Sequence, residues 1–192
     1  IFINGIEGLN IEVLGDNSIT TENVCITGWA SPCKIGGSGT LRLKSAESAG
    51  IYAYDSQAVI VGIKLYTEGL YGIGGNNGES GEMLSLRNAY VEATGSNGSI
   101  CDFQKVVLDG CSIKQPEGAV YDAGKKAVAL NGEVVTDKVV IEPSASGIND
   151  ITADVPARKK GIFTVQGVKQ TQSWNELPAG IYIVDGVKRV KK

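Results

Sequence analysis

The chain has 192 residues, of which 42% are hydrophobic and 20% charged, so it can bury a core of its own. It contains no histidine, which excludes Ser-His-Asp and Cys-His catalysis and removes a common ligand of zinc sites. The formal net charge of −3 provides no general attraction to nucleic acid or anionic lipid, and no apolar run of about 18 residues is present that would span a membrane.

Short alternating runs of apolar and polar residues dominate the chain. They are separated by Gly, Asn, Ser and Asp, and the 26 glycines predict many tight turns. The i, i+3, i+4, i+7 spacing of helices hardly occurs. The first runs cover residues 9–13, 23–26 and 39–43, and alternation places six of their side chains inside: Ile11, Val13, Val24, Ile26, Leu41 and Leu43. The chain starts at Ile1 without a start Met, so we expect an N-terminally truncated piece.

From residue 50 onward the runs repeat. Ile51, Ile73 and Ile100 are 22 and 27 residues apart. Val61, Leu86 and Leu108 are 25 and 22 residues apart. A period of about 20–30 residues with several short strands per period is the signature of a solenoid, in which each coil buries its apolar side chains against the next.

The repeat predicts an all-β fold, a single-stranded right-handed β-helix over residues 1–142 that ends near residues 138–141. A β-sandwich, which also has many short strands, is the alternative. Leu86 and Leu108 should stack in adjacent coils, as should Val91 and Ile113, with the spare residues looped out near 76–81. Cys111 lies three residues after Leu108, as Ala89 does after Leu86, and should therefore point inward.

A second unit is expected over residues 143–192, as a linker and a small C-terminal β-hairpin module. Pro143-Ser144-Ala145-Ser146-Gly147 has linker composition. Asp185-Gly186 between two apolar alternations is a strong signal for a two-residue hairpin turn. The lysines at the chain end are read as charges on an open sheet edge.

Four cysteines, Cys25, Cys33, Cys101 and Cys111, lack the CxxC spacing of metal ligands. Cys25 and Cys33 flank a short loop, where either a disulfide or two free thiols would fit. Paired catalytic carboxylates are not visible, because Asp55, Asp102, Asp109 and Asp122 are scattered and Asp109 precedes a turn glycine. Arg42, Lys64 and Arg87 have the residue type of a lyase base but no acidic partners in the sequence.

The glycine-rich segment 72–82 lacks the Gly-Lys-Ser/Thr of a phosphate loop. Asn76, Asn77, Glu79 and Glu82 could supply oxygen ligands to calcium, but an ordinary loop explains them as well. We expect no catalytic residue, no metal and no cofactor.

Outward tyrosines are the best candidates for ligand binding. If Ile51 and Ala53 point inward, alternation turns Tyr52 and Tyr54 outward beside Asp55. Aromatic faces suit the apolar face of a sugar. One coil later the equivalent positions are Gly74 and Asn76, which predicts a recess. Tyr66 is a further candidate on a neighbouring face, whereas Trp29 and Trp174 are expected to be packing residues.

Two resemblances extend this interpretation. The tail, with residues 161–167 (GIFTVQG) and 177–186 (LPAGIYIVDG), is similar to the type IX sorting domains of exported Bacteroidetes proteins. The front part, with residues 9–15 (LNIEVLG), 37–41 (GSGTL) and 50–53 (GIYA), resembles the β-helical "carbohydrate-binding domain" repeat proteins of the same bacteria. These resemblances imply export and glycan contact.

The sequence therefore favours a non-catalytic module, secreted or on the cell surface, that binds a polysaccharide or host glycan or serves as an adhesin or scaffold. The alternative is a polysaccharide-active enzyme, a lyase or glycoside hydrolase of the pectin-lyase-like β-helix type. No nucleic-acid partner and no transmembrane segment are expected, and the sequence does not indicate an oligomeric state.

Overall fold

The computed structural model describes residues 1–79, 81–144, 161–165, 167–185 and 187–191. The chain divides into two compact units, Ile1–Ser146 and Gly147–Lys192. Pro143, expected to begin the linker, is the last residue of a strand in the first unit. Residues 145–147 of the expected linker lie outside the described residues.

The first unit is built from short strands in chain order. They are β1 (Phe2–Asn4), β2 (Leu9–Val13), β3 (Asp16–Thr21), β4 (Ile26–Trp29), β5 (Cys33–Gly37), β6 (Thr40–Ser45), β7 (Ala49–Tyr54), β8 (Gln57–Val61), β9 (Lys64–Gly75), β10 (Met83–Arg87), β11 (Tyr90–Cys101), β12 (Lys105–Asp109), β13 (Cys111–Gln115), β14 (Val120–Asp122), β15 (Ala127–Leu130), β16 (Glu133–Val134) and β17 (Val139–Pro143).

These strands form a β-solenoid of about four turns, as the repeat predicted. A five-stranded parallel sheet, β2-β5-β8-β10-β12, makes what we call the first face. β3, β6 and the N-terminal halves of β9 and β11 make the second face. β1, β4, β7 and the C-terminal halves of β9 and β11 make the third face. β9 and β11, each of 12 residues, run from the second face into the third.

The core consists of apolar side chains stacked coil upon coil. The three main columns are Ile35–Ile60–Leu86–Leu108 on the first face, Leu41–Leu65–Val91 on the second and Ile26–Ile51–Ile73–Ile100 on the third. The expected pairing of Leu86 with Leu108 is confirmed. On the other side Leu86 stands opposite Ile60 and not Val61, because Val61 is one residue further along and turns outward.

Residues between Gly75 and Met83 form a loop before β10, where the spare residues of the long repeat were expected; Ser80 in that loop lies outside the described residues. A further irregularity between Gly95 and Gly98 adds one residue to β11. Both insertions occur where strands end or turn, so the stacked columns keep their register.

The C-terminal end of the solenoid differs from the expected arrangement. The prediction that Val91 and Ile113 stack in adjacent coils is wrong, because β17 inserts antiparallel between their strands and Ile141 pairs with both residues. The antiparallel meander β14-β15-β16 lies between β13 and β17 in the chain. The prediction for Cys111 is confirmed: the side chain is 8% exposed, and its Sγ accepts a hydrogen bond from the Ala89 N–H at 3.3 Å.

The second unit is a small antiparallel sheet. It contains β18 (Ile162–Thr164), β19 (Lys169–Gln170), a 3-10 helix (Trp174–Glu176), β20 (Gly180–Val184) and β21 (Val187–Lys191), with sheet order β19-β18-β20-β21.

The predicted hairpin in this unit is present, because Val184 pairs with Val187 across a two-residue turn. Asp185 in the turn has a φ of 48°, and Gly186 lies outside the described residues. β21 is an edge strand, as the lysines indicated. Lys191 is nevertheless bonded, since its Nζ donates to the carbonyl oxygens of Trp174 and Asn175 at 2.6 and 2.7 Å. The Trp174 ring packs edge-on against the Tyr182 ring, with centroids 5.9 Å apart, in agreement with its expected packing role.

Candidate functional site

An aromatic row lies on the outer side of the third face. Trp29 on β4 pairs with Tyr54 on β7, and their rings are stacked with centroids 3.9 Å apart and planes 7° from parallel. Phe2 on β1 extends the row, 6.4 Å from Trp29 and tilted by 48°. Parallel strands about 4.8 Å apart bring rings at equivalent outward positions into contact. We call Phe2, Trp29, Tyr52 and Tyr54 the aromatic row.

Trp29 was expected to pack at the end of the solenoid, but 41% of its surface is exposed. Only the register places it beside Tyr54, 25 residues later in the sequence. A mutual stack covers one face of each ring, so a ligand can stack only on the face that remains free. The second face of the Tyr54 ring is the one turned away from Trp29.

Tyr52 is half-buried at the side of this row. Its ring lies 6.4 Å from that of Tyr54, and its hydroxyl donates a hydrogen bond to Asn76 Oδ1 at 3.2 Å. Burial, followed by the nearby Glu82 carboxylate, raises the pKa of Tyr52. The side chain is therefore held in place and uncharged at neutral pH.

The recess expected at Gly74 is largely covered. Tyr52 pairs with Gly74 as predicted, but a Cβ on Gly74 would lie 3.5 Å from the Tyr71 Cβ and 4.0 Å from the Tyr52 ring. The open space is displaced toward the following loop. It is a cavity of about 130 Å³ lined by Tyr52, Tyr71, Gly75, Asn76, Asn77 and Asp102.

Asp55 follows Tyr54 directly and occupies a turn with a φ of 46°. Its side chain is exposed, and its N–H donates to Glu82 Oε1 at 3.1 Å. Glu82 is fully buried, and its other oxygen accepts the Glu79 N–H at 2.8 Å. A carboxylate that ties two backbone segments together is a structural element of the loop.

This bonding explains Glu82, one of the candidate calcium ligands, without a metal. Among the residues that the structure describes, no group of three or more Asp, Glu or Cys side chains is placed to hold a metal ion.

Tyr66 lies on the second face, separate from the aromatic row. The Arg42 guanidinium lies over the Tyr66 ring, with its Cζ 4.1 Å from the ring centroid. The centroids of the Tyr66 and Tyr90 rings are 5.8 Å apart. Arg42 and Tyr66 are direct partners on β6 and β9. The four predicted ligand-binding residues thus fall on two faces, with Tyr52, Tyr54 and Asp55 together and Tyr66 elsewhere.

Tyr66 lines a cavity of about 420 Å³, which we call the second-face groove. It is lined by Ser18, Thr20, Arg42, Leu43, Lys44, Tyr66, Thr67, Glu68, Glu92 and Thr94.

Most charges of the second-face groove are paired. Lys44 Nζ lies 2.9 Å from Glu68 Oε1, and Lys138 Nζ lies 3.4 Å from Glu92 Oε2. The Tyr90 hydroxyl donates to Glu92 Oε1 at 2.5 Å, and this hydrogen bond raises the pKa of Tyr90 to about 12.

Sequence reasoning missed Glu68 and Glu92, which line the same groove as Arg42. The two glutamates lie on adjacent strands and are 24 residues apart in the sequence, and the registers Arg42–Tyr66–Glu92 and Lys44–Glu68–Thr94 bring them to this groove. The signal that could have identified them is their spacing of 24 residues, which is about the length of one coil. Asp109, by contrast, forms an ion pair with Arg87 on the first face, with 3.6 Å between Arg87 Nε and Asp109 Oδ2.

All four cysteines are buried free thiols, so Cys25 and Cys33 are not bonded to each other. Burial raises the pKa of Cys25 and Cys101, and it raises that of Cys33 to about 11. These thiols are interior packing groups rather than nucleophiles.

The chain matches no protein-family model, no curated protein and no solved structure. Its fold class, a β-solenoid followed by a small antiparallel sheet, is therefore assigned from the strands and their register. Within the described part of the chain, no helix is both long and apolar enough to cross a membrane.

Proposed function

We propose that this protein is a non-catalytic glycan-binding module that works outside the cell, secreted or on the cell surface, as an adhesin or scaffold. The observation that carries the proposal is the aromatic row, where Trp29 and Tyr54 form a parallel stack on the outer side of the solenoid. Trp29 is exposed although a large aromatic residue gains most from burial. A ring kept in solvent on a rigid strand is suited to contact a ligand.

The surroundings of the row suit a sugar. A pyranose ring could pack on the Tyr54 face turned away from Trp29, while Asn76, Asn77 and Asp102 in the cavity beside Tyr52 offer donors and acceptors for its hydroxyls. Tyr52 is the member of the row that lines this cavity, and its hydroxyl is already oriented by Asn76. The row can therefore contact the apolar side of a saccharide while the loop contacts its polar side.

The test is retention of the protein on a glycan array and on immobilised neutral polysaccharides. The double variant Tyr52→Ala/Tyr54→Ala and the single variant Trp29→Ala should each lose binding. About fivefold per ring is expected, because a stacking contact of about 1 kcal/mol corresponds to that factor. Melting temperatures should stay near that of the parent, since these side chains lie outside the core columns.

Tyr66→Ala is the matched control, an aromatic truncation on another face. It should leave neutral-glycan binding unchanged. Binding that survives in Tyr52→Ala/Tyr54→Ala but is lost in Tyr66→Ala would move the site to the second-face groove. Absence of binding to every neutral glycan tested would contradict the proposal.

A polysaccharide-active enzyme is the second candidate, and the presence of Glu68 and Glu92 on adjacent strands in the lining of the second-face groove favours it. Glycoside hydrolysis requires two carboxylates that flank the scissile bond. The same binding samples, incubated for a day and analysed for new reducing ends and unsaturated products, decide between the two. Product that disappears in Glu68→Gln or Glu92→Gln would establish the enzyme, and absence of product supports the binding module.

Export is the remaining part of the proposal, and the resemblance of the tail to type IX sorting domains supports it. Fusion of residues 143–192 to a reporter protein in a bacterium with type IX secretion tests it. The reporter should appear outside the cell, and a reporter that stays inside at the level of an unfused control would refute this role of the tail.

A further inference from the structure

The second-face groove contains a cation whose charge is not balanced within it. Lys44 is paired with Glu68 and Lys138 with Glu92, so these four charges cancel. Arg42 has no carboxylate within ion-pair distance among the described residues. Arg42 is therefore the charged residue of the groove lining that is left without an ion-pair partner in the described part of the chain, on a protein whose overall charge is negative.

The position of this guanidinium is fixed. Arg42 lies on the Tyr66 ring at 4.1 Å, and a cation over an aromatic face is attracted by the ring quadrupole. The register places Ser18 on one side of Arg42 and Tyr66 on the other, across three adjacent strands. A planar fork of N–H donors held in this way matches the two oxygens of a carboxylate.

The remaining lining of the groove selects among anions. Thr20, Thr94 and Ser18 provide hydroxyl groups, and Glu68 and Glu92 provide acceptor oxygens. Glu68 and Glu92 keep the groove from being uniformly cationic, which does not favour a ligand with dense negative charge, such as a nucleic acid or an acidic peptide. Their oxygens can accept hydrogen bonds from the hydroxyls of a sugar.

We propose that the second-face groove is a binding site for an acidic saccharide with one carboxylate per sugar, of the uronic acid type, and that Arg42 binds the carboxylate. The Tyr66 ring orients Arg42, and the Ser and Thr hydroxyls with Glu68 and Glu92 contact the sugar hydroxyls. The site lies on a different face from the aromatic row and does not depend on it. It goes beyond glycan binding at the row by naming a second site and its ligand class.

The experiment measures binding of oligomers of galacturonate, glucuronate and mannuronate by calorimetry, each compared with its methyl ester. At least one acid should bind the parent, about tenfold or more tightly than its ester, because a hydrogen bond to a charged group is stronger than one to a neutral group. Arg42→Gln should remove this preference. Arg42→Lys, which keeps the charge but loses the planar fork, should retain part of it.

Arg87→Gln is the matched control, because Arg87 is an outward arginine on the first face and its loss changes the net charge equally. It should bind the acid like the parent. Trp29→Ala should also keep the acid preference, which separates this site from the aromatic row. Melting temperatures of all variants establish that they are folded.

The proposal would be wrong if none of the three acids bound, or if acid and ester bound equally well. It would also be wrong if Arg42→Gln kept the preference for the acid over the ester. Tighter binding of poly-aspartate than of the uronates would assign the groove to acidic peptides instead. Failure of the aromatic-row test with success here would leave this site intact, so the two proposals are separable.

Discussion

The inward and outward side chains of the same strands differ in how much the residue type varies from coil to coil. On the third face the inward column is Ile26, Ile51, Ile73 and Ile100, four isoleucines in successive coils. The adjacent outward column begins with Phe2, Thr27, Tyr52 and Gly74, which share neither size nor polarity. Strand geometry is the same for both columns, so the difference comes from what each side chain contacts.

Inside, a side chain is confined by the coils before and after it. Close packing tolerates little change in volume, so the same type recurs at each coil. Outside, only solvent and lateral neighbours limit the choice. The row Ser18–Arg42–Tyr66–Glu92 is free to hold a hydroxyl, a cation, a ring and a carboxylate in sequence. We conclude that packing restricts the inward columns and leaves the outward columns free to vary.

Leu86→Asp should have the largest effect, because it breaks an inward column at its centre. Leu86 is fully buried between Ile60 and Leu108, and an aspartate there would be a buried charge without a partner. We expect loss of cooperative unfolding of the solenoid, measured by circular dichroism in urea. Val120→Asp, at a position 61% exposed, is the matched control and should unfold cooperatively near the parent midpoint. A cooperative Leu86→Asp transition at that midpoint would show that the columns do not hold the fold together.

A smaller interior effect should appear with pH at Cys33, which stacks between Leu9 and Ala58. Burial raises its pKa from 9.0 to about 11, so the folded state holds the thiol proton more tightly than the unfolded state. The contribution of Cys33 is therefore complete below about pH 9 and is lost as the pH rises toward 11. The loss should be on the order of 1–3 kcal/mol of unfolding free energy.

Urea unfolding at pH 8 and pH 10.5 measures this contribution by comparing the parent with Cys33→Ala. The parent should lose more stability between the two pH values than the variant does. The raised pKa of Tyr90 also acts at high pH, but it is common to both proteins and cancels in the comparison. Equal losses in the two proteins would mean that Cys33 is accessible to solvent in the folded state.

Sequence reasoning predicted the inward side of this molecule better than the outward side. Alternation alone placed Val13, Ile26, Leu41 and Leu43 inside, and all four are buried, because the apolar residues of a strand mark its inward side. It could not predict that β17 returns antiparallel, since the strand sequence Val139-Val140-Ile141 suits either direction. Pairing direction depends on the path of the chain through β14–β16.

Outward neighbours depend on register, which the spacing defined only to within a residue. Assigning Val61 in place of Ile60 opposite Leu86 exchanges the inner and outer sides of a strand. For the same reason Trp29 was not recognised beside Tyr54, nor Glu92 near Arg42, although each residue was visible in the sequence. The composition of a recognition surface can be read from the sequence, but its arrangement requires the register.

Removal of the exposed ion pair Lys44–Glu68 should have the smallest effect on stability, because both side chains are outward. Its atoms are 2.9 Å apart, yet both side chains are 59% exposed, so solvent screens the attraction. A double-mutant cycle with Lys44→Met and Glu68→Gln should give a coupling energy of about 0.5 kcal/mol in urea unfolding at neutral pH, falling further in 0.5 M salt. We therefore expect the pair to contribute little to stability. A coupling above about 1.5 kcal/mol would show that this outward row helps to hold adjacent coils together.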